Sequence, residues 1–140
     1  RYEQKYSVVI GGGQNHRMGL YDVALVKENH ITSSGSISKA VETLREKEVR
    51  VIEVEVENLY ELREAIDSGA DIAMLDNFKQ TDLVAAVEIA ANKIKLEVSG
   101  NIDVDALSSM KELDIDYISS GDLTKNISAT DYSLIFKPID

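Results

Sequence analysis

Short apolar runs recur along the chain, and most of the gaps between them have the periodicity of a helix. The runs that predict buried strands are Val23–Val26, Val49–Val56, Ile72–Leu75, Lys95–Val98, Tyr117–Ile118 and Leu134–Phe136. Continuous apolar character and β-branched residues are typical of strands that are covered on both faces. A further run, Val8–Ile10, is too short to distinguish a strand from the end of a helix.

The gaps carry signals for helix ends. Residues that can cap a helix N-terminus precede four helical patterns, and they are Ser36, Asn58, Thr81 and either Asp103 or Asp105. Gly69 stands where the helix after Asn58 is expected to end. Strands that alternate with helices predict an α/β fold with a mainly parallel sheet. Two architectures fit this alternation: a barrel of βα units and an open doubly wound sheet.

Polar residues or glycines follow five of the predicted strands directly. They are Lys27, Glu57, Asp76, Ser99 with Gly100, and Ser120 with Gly121. In a βα barrel all these strand ends converge on one rim, where ligands bind. In a doubly wound sheet only the ends near the switch in strand order meet. The set therefore favours a (β/α) barrel with a site on its rim.

Composition narrows the classes of partner. The chain has 140 residues, enough for one domain, and 25 acidic against 15 basic residues give a net charge of −10. This charge argues against general binding to nucleic acid or to an anionic membrane surface. The absence of cysteine excludes disulfides and thiolate metal sites and is compatible with the cytoplasm. No apolar run is long enough to span a bilayer.

The segment 11–30 concentrates the residues that can bind an anion. Its three consecutive glycines predict a sharp turn or a close approach of the backbone to a ligand. His16, Arg17 and Lys27 follow, and a guanidinium beside an ammonium suits a carboxylate or a phosphate. The alternative interpretation is a flexible surface loop that leads into an ordinary buried strand.

The remaining strand ends predict a metal and a phosphate site. Glu57 and Asp76 place two carboxylates on neighbouring strands, where they can bind Mg²⁺ or sugar hydroxyls. Ser99–Gly100 and Ser120–Gly121 resemble the phosphate site that late loops form in βα barrels, and Lys125 lies close enough in sequence to reach the same phosphate. Together these residues indicate a pocket for a phosphorylated sugar, a metal and a separate anion.

Four blocks of the sequence carry a resemblance to a known family. They are GGGQNHRMGLYDVALVKENHI, VEVEVENLYELREAIDSGADIAMLDNF, LEVSGNI and DYISSGDLTKNISATDYSL. In this order they resemble the C-terminal barrel of the quinolinate phosphoribosyltransferases. The resemblance implies that quinolinate and phosphoribosyl pyrophosphate are converted to nicotinate mononucleotide, pyrophosphate and CO₂, with Mg²⁺, in NAD biosynthesis. It also implies a homo-oligomer, a dimer or a multiple of dimers, with the site shared between subunits.

The resemblance also implies roles for individual residues. Quinolinate carboxylates and pyrophosphate are expected to contact His16, Arg17 and Lys27. The ribose hydroxyls and the metal are expected at Glu57 and Asp76, which together with Lys27 form the implied catalytic set. The 5′-phosphate is expected at Ser99, Gly100 and Gly121. Lys125 occupies a position that differs between family members.

The chain departs from the family pattern in one respect. Family members carry an N-terminal α+β domain and a first barrel strand that ends in a run like Thr-Arg-Lys-Thr, and residues 1–140 contain neither. We therefore expect an incomplete (β/α) barrel, similar to an open TIM barrel, which is a partial catalytic domain and inactive in isolation. Two alternatives stay open: a non-catalytic folding or binding unit, and a related protein with another substrate, such as nicotinate or the ligand of a protein from molybdenum-transport gene clusters.

Overall fold

The computed structural model describes residues 2–19, 21–126 and 129–137, and within these ranges strands alternate with helices. The strands are β1 (Ala24–Val26), β2 (Ile52–Val56), β3 (Ile72–Asp76), β4 (Lys95–Ser99) and β5 (Tyr117–Ile118). The helices are α1 (Tyr2–Ile10), α2 (Glu28–Ser34), α3 (Ile37–Glu46), α4 (Leu59–Asp67), α5 (Gln80–Ala90), α6 (Val104–Ser109) and α7 (Asp122–Lys125). The predicted α/β fold is confirmed.

The order of the strands distinguishes the two predicted architectures. All neighbouring strands are parallel, and their order in the sheet, β1-β2-β3-β4-β5, is their order in the sequence. In a doubly wound sheet the order of the strands reverses at a switch point, whereas the order of the described strands runs one way from β1 to β5. The described strands therefore form an open section of a (β/α) barrel, as the pattern of strand ends predicts.

The two faces of the sheet differ in chemistry because successive residues of a strand point to opposite sides. The face toward the helices is apolar, and its fully buried strand residues are Ile52, Val54, Val56, Ala73, Leu75, Leu96 and Val98. They pack with helix residues such as Val41, Leu62 and Leu83. The opposite, inner face carries the alternate residues, which include three glutamates of β2 and β4. This inner face positions the candidate site.

Three of the predicted helix caps are confirmed. In each, a side-chain oxygen accepts the backbone N–H of the residue three positions further on, and the capping residues are Ser36, Asn58 and Asp103. Gly69 ends α4 with a left-handed backbone, at φ +78°, also as predicted. The prediction for Thr81 is wrong, because α5 begins at Gln80 after Lys79, which makes no side-chain capping bond.

Two apolar runs differ from their predicted structure. Leu134–Phe136 forms no strand, and its side chains are 77% to 85% exposed. Such a run becomes a strand only where another strand supplies backbone partners, and β5, the last strand of the described sheet, has just two residues. Val8–Ile10 is the end of helix α1. In the part of the chain that the structure describes, no helix has the length and apolarity needed to cross a membrane.

Candidate active site

The glycine segment ends a helix and turns the chain toward the inner face of the sheet. The N–H groups of Gly11, Gly12 and Gly13 donate to carbonyl oxygens in the last turns of α1, at 2.9 to 3.0 Å. Beyond this turn, the Lys5 ammonium donates to the carbonyl of His16 at 2.5 Å. The glycines therefore form the C-terminal cap of α1, and the sharp turn that they predict is explained by helix termination.

His16 lies against two acidic side chains of the inner face. Its Nε2 atom is 3.5 Å from Oε1 of Glu97 and 3.8 Å from Oε1 of Glu53. The other ring nitrogen, Nδ1, accepts the backbone N–H of Arg17 at 2.9 Å. The Glu53 carboxylate, with the charge of Glu97, raises the pKa of His16, while burial and Arg17 oppose that increase. Both ring nitrogens are thus engaged by protein atoms.

The two acids beside His16 are themselves buried. Burial raises the pKa of Glu97, and the charge of Glu53 adds to that increase, whereas the Ser119 hydroxyl and His16 oppose it. The Ser119 hydroxyl donates to Glu97 Oε1. Within the described ranges, Oε1 of Glu53 is a buried oxygen with no hydrogen-bond partner. An unpaired carboxylate oxygen in such a place is costly, so this cluster requires a proton or a cation.

The geometry of His16 favours a proton over a metal at this cluster. One donor atom from each of His16, Glu53 and Glu97 lies within 4.8 Å of the other two, which is a spacing that a metal ion could bridge. However, Nδ1 of His16 accepts an N–H, so in the neutral ring the hydrogen lies on Nε2. A nitrogen that carries a hydrogen has no lone pair for a metal.

Lys27 lies directly after β1 and pairs with Glu55. Its ammonium contacts Oε2 of Glu55, the neighbouring inner-face residue of β2. Its backbone N–H donates to Nδ1 of His30 at 3.0 Å, at the start of α2. The sequence did not predict α2, and His30 serves here as a local cap for that helix. The fold thus places the Lys27 ammonium on the inner face, beside Glu55 and just past the end of β1.

The two predicted metal carboxylates lie at the ends of adjacent strands. Glu57 is exposed and follows β2, while Asp76 is the half-buried last residue of β3. The register pairs Val56 with Leu75, so the next residues of the two strands are neighbours. Oxygen donors of this type are those that Mg²⁺ prefers.

The predicted phosphate residues lie in the loops after β4 and β5. Gly100 has a left-handed backbone, at φ +96°, and the loop containing it is joined to the preceding loop by the Asn77 N–H, which donates to the Ser99 carbonyl at 3.0 Å. The Ser120 hydroxyl donates to the Ile102 carbonyl and accepts the N–H of Asp122. Gly121 precedes α7, whose last residue is the exposed Lys125.

Some of the predicted site residues line cavities, and they do not all line the same one. His16 and Arg17 line a cavity of about 420 Å³, together with Glu53, Glu97 and Ser119. Glu57 lines a smaller hollow of about 190 Å³. Arg17 is held in place by its guanidinium, which donates to the Val23 carbonyl at 3.1 Å. The structure therefore brings His16 and Arg17 together on the inner face and places the metal and phosphate candidates along the strand ends.

Three acidic residues of the inner face were not predicted from the sequence. They are Glu53, Glu55 and Glu97. A signal for them exists in the alternation of valine and glutamate along β2. Since a parallel sheet is covered on both faces, glutamates on the face opposite the valines are enclosed rather than solvated.

These features define the chain as part of an α/β barrel with a pocket of mixed charge on the inner face of its sheet. The family model for the quinolinate phosphoribosyl transferase C-terminal domain matches residues 1–135. The chain belongs to this family.

Individual relatives agree with the family match. The chain is 40% identical over 136 residues to a probable nicotinate-nucleotide pyrophosphorylase (carboxylating) of Bacillus subtilis, covering 96% of this chain and 47% of the relative. It is 36% identical to the chloroplastic enzyme of that name from Arabidopsis thaliana, covering 96% and 44% of the two chains. The chain therefore spans about half the length of the curated relatives that it matches.

Solved structures confirm the fold. The nicotinate-nucleotide pyrophosphorylase from Francisella tularensis superposes with a TM-score of 0.84 at 51% identity, over 90% of this chain and 45% of that one. NadC from Streptococcus pyogenes superposes with a TM-score of 0.83 at 43% identity, over 88% of this chain and 44% of that one. The partial barrel is thus shared with experimentally determined members of the family.

Proposed function

We propose that the protein that contains this chain transfers a phosphoribosyl group from phosphoribosyl pyrophosphate to quinolinate and releases CO₂. The product is nicotinate mononucleotide, a precursor of NAD. The observation that carries this proposal is the family match over nearly the whole chain. The pocket supports it, because His16 and Arg17 enter the cavity from one segment and Lys27 stands above the same inner face.

The first task of the site is to neutralise a dianion. Quinolinate carries two adjacent carboxylates on a pyridine ring, and a guanidinium fork binds a carboxylate with two parallel hydrogen bonds. Arg17 supplies this fork, and His16 beside it fixes the segment against the sheet. Lys27 supplies a second cation, and its ion pair with Glu55 positions the ammonium at the end of β1.

The second task is to hold the phosphorylated sugar. Glu57 and Asp76 bind the ribose hydroxyls and Mg²⁺, since their carboxylates end neighbouring strands. When bound, Mg²⁺ offsets the charge of the departing pyrophosphate. The loops of Ser99–Gly100 and Ser120–Gly121 bind the 5′-phosphate through backbone N–H groups, and Lys125 adds a cation at the edge. The residues at the strand ends thus hold the sugar between the phosphate site and the metal site.

The reaction proceeds in two chemical steps that these residues support. The ring nitrogen of quinolinate forms a bond to the anomeric carbon of the ribose as the bond from that carbon to pyrophosphate breaks. Nearby carboxylates stabilise the positive charge that develops on the sugar. As CO₂ departs, the electron pair of the broken bond stays on the ring carbon, where the positive charge of the adjacent quaternary nitrogen stabilises it, and a proton then adds to that carbon.

The proposal extends to the state of the whole protein. We expect a homo-oligomer, a dimer or a multiple of dimers, in the cytoplasm, with the site shared between subunits. The leading alternative is that the 140-residue chain alone binds phosphate weakly and does not turn over. Calorimetry of this chain with phosphoribosyl pyrophosphate distinguishes that case from an active one.

The choice of pyridine substrate tests the proposal. The protein that contains this chain is expected to consume quinolinate with phosphoribosyl pyrophosphate at least about 100-fold faster than nicotinate, because a site built for two carboxylates leaves cations unpaired when one is missing. Pyrophosphate release is measured with each acid in turn, and benzoate serves as the control without a ring nitrogen. A preference for nicotinate would contradict quinolinate as the substrate.

A further inference from the structure

Two buried carboxyl groups approach each other on the inner face of the sheet. Glu53 on β2 and Glu97 on β4 are 2% and 6% exposed, and strand β3 lies between them in the sheet. Their oxygens lie within 4.8 Å of each other. Two carboxylates that are this close and this buried repel each other when both are ionised. The pair is therefore most stable with fewer than two negative charges.

One of these oxygens also lacks a hydrogen-bond donor. Oε1 of Glu53 is buried without a partner among the residues that the structure describes. Glu97 is oriented by the Ser119 hydroxyl. A proton on either carboxyl turns it into a donor for the other. One proton thus removes both the repulsion and the unpaired oxygen.

We propose that Glu53 and Glu97 share one proton and together hold the imidazole of His16 by its Nε2–H, which makes Glu97 a positioning residue of the pocket. This rests on the proposed function, in which His16 and Arg17 bind the carboxylates of quinolinate. The link to Arg17 is direct, because its backbone N–H donates to Nδ1 of the same ring. Glu97 acts on the ligand only through His16 and Arg17.

The charged or titratable groups that surround His16 are Lys5, Arg17, Glu53, Glu97, Asp116 and Tyr117. Among them the Glu53–Glu97 pair is the one whose charge we expect to change with pH. Lys5 donates to the His16 carbonyl. Asp116 accepts the N–H of Leu96 at 2.9 Å, which satisfies it locally. The charge opposite Arg17 is therefore set by whether the acid pair carries its proton.

The shared proton makes dianion binding depend on pH. Burial and the charge of Glu53 raise the pKa of Glu97 above that of an ordinary glutamate. As the pH rises through the pKa of the pair, the proton is lost and the pocket gains one negative charge. The added negative charge weakens the binding of a dianion at higher pH.

The first part of the experiment measures the titration of the two carboxyl groups in the unaltered protein. The carboxyl carbons of glutamate are labelled with ¹³C, and their NMR shifts are followed against pH in the unaltered protein. Replacing each acid in turn, as Glu53→Gln and Glu97→Gln, assigns the two signals. We expect the Glu97 carboxyl to titrate above the ordinary value of about 4.3, because it is buried beside a second acid. Titration of both at or below that value would overturn the proposal.

The second part measures the positioning role through quinolinate affinity. Across the pH range in which the pair titrates by NMR, the affinity of the unaltered protein, measured by calorimetry, is expected to fall about tenfold as the pH rises. Glu97→Gln mimics the protonated acid, so its affinity is expected to change less than about threefold over that range. Glu112→Gln, at an exposed glutamate, is the matched control and keeps the full dependence. Unchanged pH dependence in Glu97→Gln would contradict the positioning role.

The two parts separate this inference from the proposed function. If quinolinate does not bind at any pH, the proposed function fails, and the carboxyl titration alone decides whether the pair shares a proton. If quinolinate binds but both acids titrate normally, the proposed function stands and the proton-sharing pair is refuted.

Discussion

Replacing Lys27 by alanine is expected to lower kcat/KM for quinolinate and phosphoribosyl pyrophosphate by at least about 100-fold, the usual loss when one preorganised charge is removed from an active site. In the proposed mechanism Lys27, the cation at the end of β1, offsets the negative charge of the departing pyrophosphate. Its removal also leaves the Glu55 carboxylate without its partner on the inner face. That carboxylate then repels the anionic substrates.

The measurement is the release of pyrophosphate by the protein that contains this chain. Lys111→Ala is the matched control, because Lys111 is exposed outside the strands and helices. Thermal unfolding of both variants separates loss of function from loss of structure. Turnover of Lys27→Ala close to that of the control, with both variants folded, would remove Lys27 from the mechanism.

Replacing Gly100 by alanine is expected to destabilise the fold by about 3 kcal/mol or more, which exceeds the cost of a left-handed backbone alone. Gly100 has φ +96°, and a Cβ atom there would lie 2.4 Å from Asn77 Oδ1 and 2.7 Å from the Asn77 backbone nitrogen. The loops after β3 and β4 would have to separate. Since Asn77 N–H donates to the Ser99 carbonyl, that separation also breaks a hydrogen bond.

Gly69→Ala is the matched control for this variant. Gly69 also has a left-handed backbone, at φ +78°, but among the described residues other than Gly69 and its two chain neighbours no atom lies within 4 Å of a Cβ atom built there. Its substitution therefore costs only the backbone strain, about 1 to 2 kcal/mol. Urea unfolding monitored by circular dichroism gives both free energies of unfolding. Equal losses would show that the contact with Asn77 carries no energy.

The sequence predicted the elements whose signals are local. Ser36, Asn58 and Asp103 were identified as helix caps because a capping side chain bonds within its own first turn. The positions of Lys27 and Asp76 at strand ends followed from the length of each apolar run. These features depend on residues that are neighbours in sequence, so the order of polar and apolar residues is enough to predict them.

The sequence did not predict features that depend on contacts across the fold. Glu53 and Glu97 were missed because their burial depends on which face of the sheet the helices cover. Leu134–Phe136 was predicted as a strand, although a strand also requires a neighbour with free backbone groups. Helix α2 was missed because its signal is a bond from the Lys27 N–H to the ring of His30, which is not a common cap. Long-range pairing and burial account for each of these differences.

The candidate site was predicted in part. His16 and Arg17 were predicted from the sequence to bind an anion, and the structure places them together in a cavity of about 420 Å³ that Glu53 and Glu97 also line. Their acidic partners were not foreseen. The pocket is consequently less positive than the basic residues alone suggest, and the protonation of the two acids becomes part of its chemistry. The assigned roles of these residues stay predictions.

The fate of the 2-carboxylate of quinolinate tests the central claim most directly. Quinolinate labelled with ¹⁴C in this carboxylate is incubated with phosphoribosyl pyrophosphate, Mg²⁺ and the protein that contains this chain. We predict labelled CO₂ and pyrophosphate in equal amounts, and only when both substrates are present. Pyrophosphate release without labelled CO₂, or no release of either from the folded protein, would contradict the assignment as a quinolinate phosphoribosyltransferase.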